Sequence, residues 1–159
     1  MTSSPPPRSP EEQARLVANF TDLFEREACF HEFLQLKVAS VDPVRLRLDM
    51  RRDLIGHHHF GRLHGGVLAT LLDGTAGATL LSAVAARHPG ESTEQIMQRY
   101  SHVSTIDLRI DYLRPGLGKH FIASAEVVRL GGRIATMRMQ VVNDAEVLIA
   151  TGVATFIVS

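Results

Sequence analysis

The stretch Gly65-Gly66-Val67-Leu68-Ala69-Thr70-Leu71-Leu72-Asp73-Gly74-Thr75-Ala76-Gly77-Ala78-Thr79-Leu80-Leu81-Ser82-Ala83-Val84-Ala85-Ala86 decides the fold. It is apolar or small throughout, and Asp73 is its only charge. A surface helix carries a polar face; a helix without one is buried on all sides, in a core or in a bilayer. The length suffices for a membrane span. Against a span stand the carboxylate inside it, the lack of interfacial aromatics and the half-buried strands expected on both sides. A buried core helix follows.

Outward from that helix the periodicity changes. Towards the N-terminus, Val44, Leu46, Leu48 and Met50 alternate with Arg45, Arg47 and Asp49, a strand with one covered face, and Leu34 to Ser40 reads as another. Before them, Ser9 is placed to cap a helix that begins at Pro10, with Leu16, Phe20, Leu23 and Phe24 on one face to about Glu27. Beyond the core helix, His88 to His102 is a polar insert with a short helix over Thr93 to Gln98. Ile106, Leu108, Ile110 and Tyr112 then alternate with Asp107, Arg109 and Asp111, predicting one inward apolar row. Phe121 to Arg129 turns at Gly131-Gly132 into Arg133 to Asn143, and Val147 to Val158, apolar on both faces, is expected inside the sheet. The class is α+β: one antiparallel sheet wrapped around one long buried helix. Residues 1–9, rich in proline, are expected to be a disordered tail, and residues 10–159 a single domain.

Composition removes several functions. Seventeen basic residues balance seventeen acidic ones, so no basic field holds nucleic acid or an anionic membrane. With no Trp and only 6% aromatics, base-stacking platforms are not expected. The single cysteine, Cys29, excludes an internal disulfide framework and a cysteine-rich zinc site. No apolar leader precedes the first helix, and a cytoplasmic small-molecule protein is the expected class.

Asp73 asks for a reason, because an ionised carboxylate in an apolar helix is costly unless paired. His64-Gly65-Gly66 opens the same helix, where backbone N–H groups are free at the positive end of the dipole and can bind a developing oxyanion. Eight residues separate Gly65 from Asp73, about 12 Å along the axis and about 80° around it. One chain cannot bring both to the same carbonyl group. If both act in one site, Asp73 comes from a second copy whose helix runs antiparallel, with Ala69, Gly74 and Gly77 permitting the approach.

The run from His64 to Asp73 resembles the HGG-x6-D signature of PaaI-like hotdog-fold acyl-CoA thioesterases. Tyr112-Leu113-Arg114-Pro115 resembles a motif that follows in that family, Arg129-Leu130-Gly131-Gly132-Arg133 its hairpin, and Ala150 to Phe156 its closing strand. The polar insert points to the YigI-type bacterial branch. The resemblance covers about residues 30 to 158. It implies hydrolysis of acyl-CoA without a metal or other cofactor, coenzyme A entering only as part of the substrate. It further implies a homodimer, or a dimer of dimers. Asp73 would be general base or nucleophile, Gly65 the oxyanion donor with Gly66 beside it, Thr105 a holder of the water, and His64 mainly positional. Where relatives carry an Asn before the motif, this chain has His57 and His58. Arg129 and Arg133, then Arg62 and Arg114, are candidates for the phosphates of coenzyme A. Aliphatic Val103, Ile106 and Leu108 favour medium or long acyl chains.

Three other functions compete with this one. His59-Phe60-Gly61-Arg62 and Gly66-Val67-Leu68 also resemble a hotdog (3R)-hydroxyacyl dehydratase, but the position of its acidic residue is Leu71 here. A metal site on His57, His58, His59 and His64 lacks an acidic second layer. A non-catalytic acyl-CoA binder would have no use for Asp73.

Overall fold

A computed structural model describes residues 6–159. Helix α1 (Pro10–Asp22) is capped by Ser9 Oγ, which accepts from Glu12 N–H at 3.2 Å, and runs into one π-helical turn, Leu23–Glu27. A short helix, α2 (Cys29–Leu34), ends at Gln35 in the left-handed conformation, φ 57°. The strand expected to begin at Leu34 therefore begins at Lys37: β1 is Lys37–Val41. Strand β2 (Val44–Asp49) shows the predicted alternation, with Val44, Leu46 and Leu48 buried. A 3-10 turn (Arg52–Leu54) leads to the hairpin β3 (Ile55–His57) and β4 (Arg62–Leu63), which the sequence reading did not anticipate because its strands span only three and two residues.

The core helix, α3, is Gly65–Arg87, followed by α4 (Thr93–Tyr100), β5 (Ser104–Tyr112), β6 (His120–Leu130), β7 (Ile134–Asn143) and β8 (Leu148–Ile157). Six strands form one antiparallel sheet in the order β1-β2-β6-β7-β8-β5. As expected, β8 is internal, and β5 is left as an edge. Helix α3 lies against β6, β2 and β7, its Leu71, Leu72, Leu80 and Leu81 packing with Leu46, Leu48, Phe121, Met137, Met139 and Val141. Although α3 is long and apolar enough to cross a membrane, most of it is covered by the protein's own sheet and helices.

Two expectations about packing change. Gly74 and Gly77 do not face a second helix: a Cβ at Gly74 would lie 2.8 Å from His31 Nε2 of α2, and one at Gly77 would lie 2.9 Å from the Tyr100 hydroxyl of α4. These glycines admit side chains of their own chain, and both are buried. What stays partly uncovered on α3 is a narrow stripe through Gly66, Ala69, Thr70 and Asp73. Arg8 is also not part of a free tail. Its N–H donates to Pro89 O, and its guanidinium donates to Ala85 O and His88 O, each at 2.7 Å. The last turn of a helix leaves carbonyls without partners at its negative pole, and a guanidinium satisfies both needs. The Pro-rich residues 1–5 lie outside the described residues.

Candidate active site

His64 precedes α3 in extended conformation, and its Nδ1 accepts from Gly66 N–H at 2.9 Å. The imidazole thus caps the helix, a positional role, and that bond places its proton on Nε2. It also occupies the Gly66 amide, so Gly66 is not a free donor to substrate. The Gly65 N–H has no partner among the described residues. Its carbonyl accepts from the Tyr112 hydroxyl at 2.9 Å, which ties the start of α3 to the end of β5.

A cleft of ≈ 490 Å³ opens at this helix end. His57, Arg62, His64, Gly65, Tyr112 and Arg114 are among its lining residues. Of the two histidines at the family's Asn position, His57 lines the cleft; His58 is exposed in the β3–β4 turn, its ring stacked on that of His57 at 5.7 Å. The Arg62 guanidinium sits 5.0 Å over the Phe60 ring, and Arg114 donates to Leu148 O at 2.9 Å. Arg129 and Arg133 are elsewhere. They flank the β6–β7 turn, to whose Leu130 and Gly131 carbonyls Arg87 donates from the far end of α3. A helix of 23 residues puts the two ends about 34 Å apart. Among the described residues no group of three His, Cys, Asp or Glu side chains is arranged to hold a metal ion.

Asp73 stands two turns into α3, half-buried, and its Oδ1 accepts from Thr105 Oγ1 at 2.9 Å. A β-bulge makes this contact. Thr105 pairs with Phe156 and Asp107 with Thr155, leaving Ile106 as the extra residue on β5. A bulge reverses the alternation on one side of itself. Thr105 accordingly turns inward, and Ile106, expected in the apolar slot, is 57% exposed. Leu108 and Val103 remain half-buried.

The sequence reading missed two further side chains around Asp73. His31 and the Tyr100 phenol both feel its negative charge. Burial first, and then Asp73, raises the Tyr100 phenol well above its ordinary value, so it stays protonated. Two glycines spaced i,i+3 inside an apolar helix, each costing about 0.5–1 kcal/mol relative to Ala, were the available signal that something enters there. At the dehydratase position Leu71 is fully buried in the core, so no acidic group could work from it.

A family model described as "Thioesterase superfamily" matches residues 60–150. The medium/long-chain acyl-CoA thioesterase YigI of Salmonella typhimurium is 39% identical over 150 residues, covering 93% of this chain and 95% of that protein. A crystal structure from Shewanella oneidensis, described as related to the thioesterase superfamily, superposes with a TM-score of 0.88 at 35% identity, covering 96% of this chain and 100% of that one. The E. coli PaaI structure shares the fold, with a TM-score of 0.70 at 19% identity over 93% of this chain and 96% of that one.

Proposed function

The chain belongs to the thioesterase superfamily, and from that premise we propose that it hydrolyses medium- and long-chain acyl-CoA, with Gly65 and Asp73 as the reacting pair. The observation that carries this is the Gly65 N–H at the positive end of α3, without a partner among the described residues, in a cleft that also holds Arg62 and Arg114. The chain length is taken from the YigI relative.

The thioester oxygen lies against Gly65 N–H. Asp73 takes a proton from water as the water oxygen attacks the carbonyl carbon. Thr105 holds the carboxylate in place. Negative charge builds on the oxygen at Gly65, where a donor is worth about 3 kcal/mol of barrier. The C–S bond then breaks and coenzyme A leaves as thiolate, a leaving group good enough to need no metal or other cofactor. Arg62 and Arg114, which line the cleft, would meet the phosphates; Arg129 and Arg133 could reach it only from another subunit.

Eight residues of helix separate the two groups, so the site is shared between two copies. Two features support a homodimer: the half-open stripe at Ala69, Thr70 and Asp73, and β5, a strand of nine residues at the sheet edge, with no strand on its outer side among the described residues. A dimer of dimers would cover Ile106 and Val153, which are 57% and 42% exposed. With acyl-CoA as substrate, we place the reaction in the cytoplasm.

Asp73→Asn is expected to abolish release of free thiol from palmitoyl-CoA and decanoyl-CoA while leaving the melting temperature within a few degrees. If the variant turned over at the wild-type rate, Asp73 would not be the base. If the wild type bound these thioesters without releasing thiol, the protein would be an acyl-CoA binder.

A further inference from the structure

The amide proposed to receive the oxyanion sits in the softest part of the chain. Gly65 carries it, Gly66 follows, and glycine backbone is the least restricted of any residue. A donor lowers a barrier only if it is held in place before the charge develops. Three anchors supply what two consecutive glycines lack. His64 N–H donates to Leu54 O at 2.9 Å, while His64 O accepts from Val67 N–H at 3.0 Å and Leu68 N–H at 3.2 Å, which steadies the peptide that bears the Gly65 amide. His64 Nδ1 accepts from Gly66 N–H at 2.9 Å, so closely that a Cβ on Gly66 would be 3.0 Å from that nitrogen. Both of these are local. The third comes from 47 residues away, where the Tyr112 hydroxyl donates to Gly65 O at 2.9 Å. The peptide between the two glycines is thus gripped at both ends, its C=O by Tyr112 and its N–H by His64.

The Tyr112 hydroxyl is well supported. Tyr112 ends β5 in register with Ala150 of the internal strand β8, and the next residue, Leu113, donates its N–H to Ile149 O at 2.9 Å. Its ring lies beside Gly65, where a Cβ would be 3.4 Å from Cε1 and Cζ. Folding does not require the hydroxyl bond. Tyr112 is 53% exposed, so water would satisfy both groups if they parted, and a bond exchanged for water contributes little to stability. The bond matters for where it is: Tyr112 and Gly65 line the same cleft. We propose that Tyr112 is a positioning residue for the oxyanion donor, its hydroxyl pinning the Gly65–Gly66 peptide to the sheet so that the Gly65 N–H is aimed at the thioester oxygen. This rests on the Gly65 N–H being that donor.

The kinetic signature follows from that role. An oxyanion donor earns its effect as charge builds on the oxygen, so loosening it costs transition-state stabilisation and leaves ground-state binding nearly untouched. The acyl chain and the phosphates of coenzyme A are held by other groups. Losing the hydroxyl therefore lowers kcat and spares KM. The effect must also pass through Gly65: once the N–H is gone, there is nothing left for Tyr112 to aim.

The test is a double-mutant cycle on decanoyl-CoA in full-length protein. Tyr112→Phe keeps the ring and removes the hydroxyl; it should lower kcat about tenfold, with KM within about twofold of wild type and the melting temperature within a few degrees. In the Gly65→Pro background the same substitution should cost nothing further. A second tenfold loss there would mean that the hydroxyl acts elsewhere, and the proposal would fall. It would fall equally if Tyr112→Phe raised KM at unchanged kcat. Hydrogen exchange at the Gly66 amide gives a readout independent of turnover: Tyr112→Phe should speed it about tenfold, and an unchanged rate would mean that the glycines are held without the hydroxyl. Wild-type turnover in Gly65→Pro would remove the oxyanion assignment, and this inference with it. An impaired Gly65→Pro beside a fully active Tyr112→Phe would leave that assignment standing and overturn only the role of Tyr112.

Discussion

The Gly65 amide can be deleted with little else disturbed. Gly65 is the first residue of α3, where proline is well tolerated because its fixed φ suits the helix and its missing N–H has no helical acceptor to lose. His64, at φ −64° and ψ 136°, already has the extended conformation that a following proline imposes. Gly65→Pro should therefore lower kcat by about 10²- to 10³-fold with an unchanged far-ultraviolet circular dichroism spectrum. Retained activity would assign the oxyanion to another donor. At this scale Asp73, His64 and Gly65 were legible from one run of ten residues, because a lone charge and paired glycines are conspicuous in an apolar helix. His31 and Tyr100 were not. Their relation to Asp73 is made by tertiary packing across 42 and 27 residues of chain, and only Gly74 and Gly77 mark where they land.

Among the elements, β5 holds both halves of the proposed site: Tyr112 fixes the Gly65 carbonyl at one end, and Thr105 fixes Asp73 at the other. Its inward row was predicted as Ile106, Leu108, Ile110 and Tyr112, and the periodicity was right only for Leu108 and Ile110, both half-buried. A bulge leaves no mark in hydrophobic pattern alone when the extra residue is itself apolar, which is why Ile106 was placed on the wrong face. Thr105→Val keeps the β-branched shape at the bulge and removes only the hydroxyl that donates to Asp73. Thr105→Val is expected to reduce kcat at least tenfold, in line with losing a group that positions a base, while the chain stays folded by thermal shift. Wild-type turnover in Thr105→Val would show that the hydroxyl is dispensable. The long helix, the alternating β2 and the final strands were legible because their periodicities run for many residues. Helix α2 and the β3–β4 hairpin were hidden by shortness; six residues or fewer carry too little periodicity to be told from loop.

For the molecule as a whole, the decisive number is the spacing of two groups along one rigid rod. Asp73→Asn and Gly65→Pro chains are each expected to be inactive alone. Co-expressed with separable tags, they should form hybrids in which one of the two sites has an intact Gly65 from one chain and an intact Asp73 from the other. A random 1:1 mixture should then recover about a quarter of wild-type activity, measured on the purified mixture, and tandem purification of the hybrid should raise it to about half. No recovery would mean that each chain supplies its own site or that the copies do not pair in this way. Arg8 has a practical corollary. By sealing the last turn of α3 it brings the chain out at the end of the rod remote from Gly65. A purification handle or fluorescent protein joined ahead of it is thereby carried away from the substrate's mouth, whereas one grafted into the β3–β4 turn would sit on the doorstep.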